Sequence, residues 1–392
     1  MYDALIIGAG PAGATAARLL ASAGWSVVLV EKSEFPRRKV CGEFISATSL
    51  PLLCDERIRG EFLRSAGPEI RRVGLFAKKT VLNTRMPPAS GSISGWGRAL
   101  GRDRLDTLLL EAAVQAGAAL WQPWKAVQIE RTGDRFACTL AAGEKRETLS
   151  ARLVIAANGS WEKSPWRPET RAHRPSDLLA FKAHFQHTRL PSELMPLIVF
   201  PGGYGGMVHS DSGRVSLSCC IRRDVLETSR NAQPGRSAGE AVLQHIFQHC
   251  DGVRDALSPA ELEGAWLAAG PIRPGIRPRY ADGIFYIGNA AGEAHPIIAE
   301  GISMAMQSAW LLSQRLLQAK DRAATLEAQA QAGRLYARDW RTAFAPRLHA
   351  AAAFAHFAMW PGAKRLLPVV ERFPNILRWG ATLSGKTAQL VR

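Results

Sequence analysis

The run Gly8-Ala9-Gly10-Pro11-Ala12-Gly13 constrains this chain more than any other stretch of its 392 residues. Residues 3 to 8 (DALIIG) form a short apolar strand that leads into it, and residues 11 to 24 follow with helical spacing of Ala and Leu. Residues 26 to 31 (SVVLVE) read as a second buried strand, which completes a β-α-β unit. In such a unit Gly8 permits the tight turn, Gly10 lets backbone approach a pyrophosphate, and Gly13 lets helix and strand pack closely. The helix start around Ala12 offers free N–H groups and partial positive charge to phosphates. Glu31 ends the second strand, 21 residues beyond Gly10, where an acid can bind the ribose hydroxyls of an AMP half. The unit binds a dinucleotide, and by itself it does not separate FAD from NAD.

Farther along, residues 104 to 117 read as a helix, and a β-rich stretch runs to about Asn158. Residues 178 to 188 and 195 to 222 carry strand-like alternation, joined by a glycine-rich turn at Gly202, Gly203, Gly205 and Gly206. The strand GIFYIG at 283 to 288 leads to a helix from about Gly301 to Ala319. The remainder reads as helical, broken near Pro346, Pro361, Pro368 and Pro374.

Two later segments separate the cofactors. GIFYIGNAAGEAHPIIAEGISMAMQSA, at 283 to 309, resembles the second flavin motif of the para-hydroxybenzoate hydroxylase superfamily. Gly288, Ala290, Ala291, Pro296, Gly301 and Ile302 match it, and Asn289 stands where that family usually has Asp. In the family the acid holds a ribityl hydroxyl and the helix start faces the flavin pyrimidine; an amide oxygen also accepts from a hydroxyl. Arg102 and Asp106 resemble the Arg-x-x-Leu-Asp stretch whose Arg reaches the cofactor, and the backbone near Val127 is where the family meets the adenine. FPRRKVCGEFIS, at 35 to 46, resembles the Phe-Pro-Arg-x-Lys-x-Cys-Gly segment of the geranylgeranyl-reductase-like branch. There the Cys lies beside the flavin. The resemblance implies FAD, with Lys32, Arg38, Cys41 and Gly42 among its contacts. Cys41 reads either as a proton donor or as a small residue packed in a crowded loop.

The resemblance and the order of segments imply an α/β fold. A Rossmann-type FAD-binding domain, discontinuous over 1–75, 98–165 and 276–320, carries an inserted β-sheet substrate domain (76–97 and 166–275) and a helical C-terminal region (321–392). Two departures bear on the reaction. Asn158-Gly159 replaces the Asp-Gly of the aromatic hydroxylases, and YGGMVHS at 204 to 210 keeps Tyr204 of a Tyr-x-Trp-x-Phe-Pro motif but puts Gly206 and His209 at its Trp and Pro. The expected activity is an oxidoreductase, leaning toward hydroxylation of a hydrophobic aromatic, quinone or polyketide through a flavin hydroperoxide. The alternatives are reduction of a C=C bond in an isoprenoid-like or polyketide lipid with Cys41 as proton donor, and a non-catalytic flavin-binding partner protein. Electrons are expected from NAD(P)H or a partner flavin reductase. His295, beside Pro296, and His209 are the catalytic candidates besides Cys41. Alternation places His184 on the face of Lys182, with His187 opposite.

Charge and cysteines bound the setting. Cys41, Cys54, Cys138, Cys219, Cys220 and Cys250 show neither metal-ligand spacing nor a disulfide framework. No apolar run is long enough to span a bilayer, and the fingerprint at residue 8 leaves no room for a leader, so a cytoplasmic location is expected. The net charge is +16, and from Arg334 to Arg392 ten Lys or Arg stand against Asp339 and Glu371, a surplus of eight. No recognition motif accompanies that charge, so nucleic acid is not the expected partner. The tail reads as amphipathic helices with a basic outer face, packed on the body or meeting the inner face of an anionic membrane.

Overall fold

The segments with the longest buried apolar runs build the first sheet. In the computed structural model its parallel strands lie in the order Ile284–Tyr286, Lys145–Ala156, Tyr2–Ile7, Val27–Val30, Ala119–Trp121. Every residue of Val27–Val30 is buried, as a parallel strand covered on both faces requires. Ile7 pairs with Val30 and with Ala156, and Ala156 pairs with Tyr286, so these strands end level. The segments that follow them, at Gly8, Glu31, Ala157 and Gly288, therefore open along one edge, where ligands bind in sheets of this kind. Helix Pro11–Ser22 packs against Arg102–Gln115 and Gly301–Gln318. The structure describes residues 1–53, 56–90, 94–160, 172–319, 323, 325–360, 362, 365, 367–387 and 390. Cys54, Pro361 and most of the stretch after Gly159 lie outside them.

The second sheet has the order Glu261–Ile272, Leu178–Gln186, Val215–Arg222, Gly203–His209, Leu194–Phe200, Arg72–Ala77, Thr80–Arg85. Only the contact between Leu194–Phe200 and Arg72–Ala77 is parallel. Arg72–Ala77 belongs to this sheet along its whole length, so the chain leaves the first domain slightly before residue 75. Alternation decides what each face meets. Phe181, Ala183 and Phe185 join a core with Val242, Ile246 and Val253 of the covering helices. Ala180, Lys182 and His184 point the other way, toward the first domain.

Two local expectations change. Of the four glycines, Gly202 alone has positive φ (+71°); Gly203, Gly205 and Gly206 lie inside a strand. A Cβ at Gly203 would stand 2.2 Å from the Phe200 ring, and one at Gly205 2.6 Å from the Ser218 carbonyl, so close packing explains both glycines. The helix Leu326–Met359 runs through Pro346 without a break. Proline removes one ladder hydrogen bond there, but Phe344, Ala345, Arg347 and Leu348 are buried on its two sides and hold the segment helical. Beyond it the tail returns to the body: the Lys386 ammonium, itself buried, donates to Glu300 Oε1 (3.0 Å) and to the Ile298 carbonyl. Among the described residues no helix is long and apolar enough to cross a membrane.

Candidate active site

A cavity of about 840 Å³ runs from the level strand ends, between the two sheets, to the C-terminal helices. Its inner end is built by the glycine fingerprint. Gly8 has φ +101°, and a Cβ there would stand 2.7 Å from the Ala157 carbonyl. A Cβ at Gly13 would stand 1.8 Å from the Gly8 carbonyl oxygen, so the helix can approach the strand only with hydrogen at that position. Gly10 opens onto the cavity, where a Cβ would meet only an Arg102 nitrogen, at 3.8 Å. No side chain caps the helix that follows, which leaves its N-terminus to a ligand. The Glu31 carboxylate accepts from Ala9 N–H (2.9 Å) and Ser33 N–H (3.0 Å) and lies on the cavity wall with Lys32. Val127 itself is not on that wall, but its neighbours Lys125 and Ala126 are.

Positive charge collects beside this end. Arg102 makes a bidentate pair with the fully buried Asp106 (2.7 and 2.8 Å). Burial opposes the Arg102 charge, but Asp106 and Cys41 outweigh it and hold the guanidinium protonated. Arg37, not Arg38, is the motif arginine that reaches inward. It lies 3.3 Å from Glu31, 3.8 Å from Asp106 and over the Phe35 ring. Arg38 turns out to Glu263 at 3.3 Å and is absent from the cavity wall. Removing the Arg37 side chain should weaken FAD binding about tenfold or more, whereas Arg38→Ala should leave it within about twofold; flavin fluorescence titration checks both.

Lys39, also on the wall, is pushed down to about 8 by burial and by the nearby Arg37 and Arg102. Its charge is full below that pH and is lost as pH rises through it. A diphosphate prefers the charged form, so the Kd for FAD should rise by up to ~10-fold per pH unit above about 8. Lys39→Arg should flatten that rise, and a wild-type Kd independent of pH there would remove Lys39 from the binding site.

The other flavin motif closes the cavity from below. Gly288 has φ +59°, donates its N–H to Ser308 Oγ (2.8 Å), and leaves no room for a Cβ against Ala12. The Asn289 amide, on the wall, donates to Glu293 Oε1 (3.3 Å). Burial pushes the Glu293 carboxyl up, against the pull of Arg277. Gly301 and Ile302 begin a helix whose N-terminus no side chain caps, and a Cβ at Gly301 or at Gly42 would meet nothing within 4 Å. Three open glycines, two uncapped helix starts and three inward cations fit a bound flavin dinucleotide.

Cys41 sits half-buried where the two sheets face each other. Its Sγ accepts from Glu43 N–H (3.4 Å) and lies within hydrogen-bonding reach of Arg102, while Ser218 Oγ donates to its carbonyl (2.9 Å). Glu43, two residues on, is buried with φ 62°. It meets the Lys182 ammonium, His184 Nε2 (2.9 Å) and Arg102 N–H (3.3 Å). Burial alone would push this carboxyl up; His184 and Lys182 outweigh it and hold the group well below the usual carboxylate range. Lys182 and His184 thus serve the Cys41 loop and do not line the cavity.

His295 lies on the wall, with Nδ1 3.1 Å from the Tyr204 hydroxyl. Burial and His356 push it down to about 4, so it is neutral near pH 7. Burial raises the Tyr204 hydroxyl, which keeps its proton. His209 is not brought to the cavity: its Nε2–H donates to the Leu190 carbonyl (2.8 Å). Glu43 is a site residue that the sequence reading does not single out, while Arg37 and Lys39 stand at the Arg and Lys of the Phe-Pro-Arg-x-Lys-x-Cys-Gly segment without being named among its contacts.

The profile of a family described as "FAD binding domain" matches residues 1–337. Digeranylgeranylglycerophospholipid reductase 1 of Methanothermobacter thermautotrophicus is 30% identical over 331 residues, 80% of this chain and 76% of that protein. Menaquinone reductase of Mycobacterium tuberculosis is 26% identical over 340 residues, 81% and 77% of the two chains. Among solved structures, the flavin-dependent brominase Bmp2 superposes with a TM-score of 0.76 at 18% identity, covering 98% of this chain and 93% of that one. A geranylgeranyl bacteriochlorophyll reductase-like protein from Thermoplasma acidophilum gives 0.69 at 18% identity, covering 100% and 93%. At these identities the structural matches speak for the fold.

Proposed function

The chain belongs to the FAD binding domain family and is an FAD-dependent oxidoreductase; from that premise we propose that it reduces a carbon–carbon double bond in an apolar lipid, isoprenoid-like or polyketide. The observation that carries this reading is Cys41, a thiol held on the wall of a largely apolar chamber beside a permanently charged arginine. Reductase names among the relatives support it. Hydroxylation, toward which the sequence leans, gives that arrangement no task.

Bound FAD, once reduced, supplies two electrons and one hydrogen to the double bond. Cys41 holds the second hydrogen as a proton and gives it to the other alkene carbon. Arg102, within reach of Sγ, stabilises the thiolate left behind. Glu43 cannot compete for that proton, since Lys182 and His184 keep it ionised; its role is to fix the backbone next to Cys41. Leu75, Met195, Leu197 and Met207 exclude water from the chamber. Tyr204 and neutral His295 offer a donor–acceptor pair on which a polar end of the substrate can be oriented. Gly206 lies on the same wall, where a Cβ would stand 3.2 Å from the Pro196 carbonyl, so the backbone itself forms this part of the chamber. The electrons come from NAD(P)H, directly or through a partner flavin reductase.

Turnover under nitrogen with NADPH or NADH and a polyprenol such as geranylgeraniol tests the reading. The expected product is heavier by two hydrogens. Substrate consumption only after oxygen is admitted, with one oxygen atom gained, would contradict it.

A further inference from the structure

We propose that the outer face of the C-terminal helices docks this protein on an anionic lipid bilayer and sets the cavity mouth against it. The apolar side chains of helix Asn375–Leu383 form one wide arc opposite Arg378 and Thr382, with an inner part and an outer one. Leu377, Gly380 and Ala381 line the cavity, which accounts for the inner one. The outer one carries Trp379 and Leu383, with Phe373 just ahead of the helix, and their exposures are 71%, 59% and 59%. Single exposed apolar side chains are ordinary, but a cluster of this size on one short segment is not. Trp360, at the end of the preceding long helix, is 55% exposed and also borders the cavity.

The chemistry around these side chains selects the occupant. Arg372 and Arg378 are exposed beside them, within a tail whose surplus is eight positive charges. Tryptophan and phenylalanine interleaved with arginine suit the headgroup layer of an anionic bilayer, where rings enter the acyl boundary and guanidinium groups stay with phosphates. A second copy of this chain fits less well, because a twofold contact would bring the same arginines together. The segment is also fixed in place: Lys386 is tied to Glu300 on the first domain, and Glu371 accepts from Thr80 Oγ1 (2.7 Å) on the second sheet. A bilayer touching this face would therefore lie at the open end of the cavity. Delivery of an apolar substrate by that route rests on the proposed reduction, whereas docking does not.

Flotation of the FAD-loaded full chain with vesicles of equal parts phosphatidylglycerol and phosphatidylcholine tests it, with pure phosphatidylcholine vesicles for comparison. The wild type should float with the anionic vesicles and much less with the neutral ones. Phe373→Ser/Trp379→Ser should lower the bound fraction ~10-fold or more, and Arg372→Gln/Arg378→Gln ~30-fold at low salt. Unchanged flavin absorbance and melting temperature in both variants separate this from misfolding. Failure of the wild type to float, or flotation that neither variant lowers, would overturn the proposal. So would a wild-type dimer in light scattering that the Phe373/Trp379 variant converts to monomer.

Discussion

Cys41→Ala should lower double-bond reduction by about 10²–10⁴-fold, the usual contribution of a positioned proton donor. The loss should fall on kcat, because the thiol is one small group on a cavity wall whose other contacts remain. FAD should stay bound, since the fingerprint, Arg37 and the start of the Gly301 helix do not depend on Cys41, and Asp106 still holds Arg102 in its bidentate pair. Cys41→Ser restores a donor of similar size but weaker acidity and should recover only part of the rate. Steady-state kinetics under nitrogen with the flavin content measured in parallel check this. A variant with wild-type kcat would assign Cys41 to packing.

Gly13→Ala should be the most damaging single substitution for cofactor binding. The added carbon would lie 1.8 Å from the Gly8 carbonyl oxygen, which is backbone and has no rotamer to yield. The helix must move off the strand end, and the movement displaces both the Gly10 backbone and the helix N-terminus from the pyrophosphate position. The expected outcome is purification without FAD and a loss of about 3 kcal/mol or more in stability, as for other overpacked core sites. Denaturant unfolding and flavin content measure the two effects. Retention of stoichiometric FAD would show that the strand–helix contact is softer than its geometry implies.

Much of this arrangement is legible in the sequence because it is local. The β-α-β unit is encoded within residues 3 to 31, and the strand ends that it defines fix one edge of the site. The run at 283 to 309 locates the other flavin wall even with Asn at 289. Strand alternation correctly puts Lys182 and His184 on one face. What alternation could not reveal is their partner, Glu43, 139 and 141 residues away in the chain. A buried acid becomes recognisable only when the fold brings its counter-charges to it. The choice between Arg37 and Arg38 is of the same kind, because Glu31 and Asp106 decide it from two different elements. His209 has the residue type of a catalytic group, yet a backbone carbonyl elsewhere in the fold claims it. The charge pattern implies amphipathic tail helices with a basic outer face, packed on the body or meeting an anionic membrane. The tail does pack, through Tyr336, Trp340 and Phe344, but its last helix also presents apolar side chains outward, which a charge count does not register.

The central claim, that reduced flavin in this chain passes its electrons to a double bond, is tested most directly without any nicotinamide donor. The FAD-loaded protein is reduced with one equivalent of dithionite under nitrogen and mixed with geranylgeraniol in a stopped-flow cell. The oxidised flavin spectrum should return at a rate that depends on the alkene concentration, with one substrate reduced per flavin, and Cys41→Ala should slow that return. Flavin that stays reduced with the alkene and reoxidises only when oxygen enters, leaving a hydroxylated product, would contradict the claim.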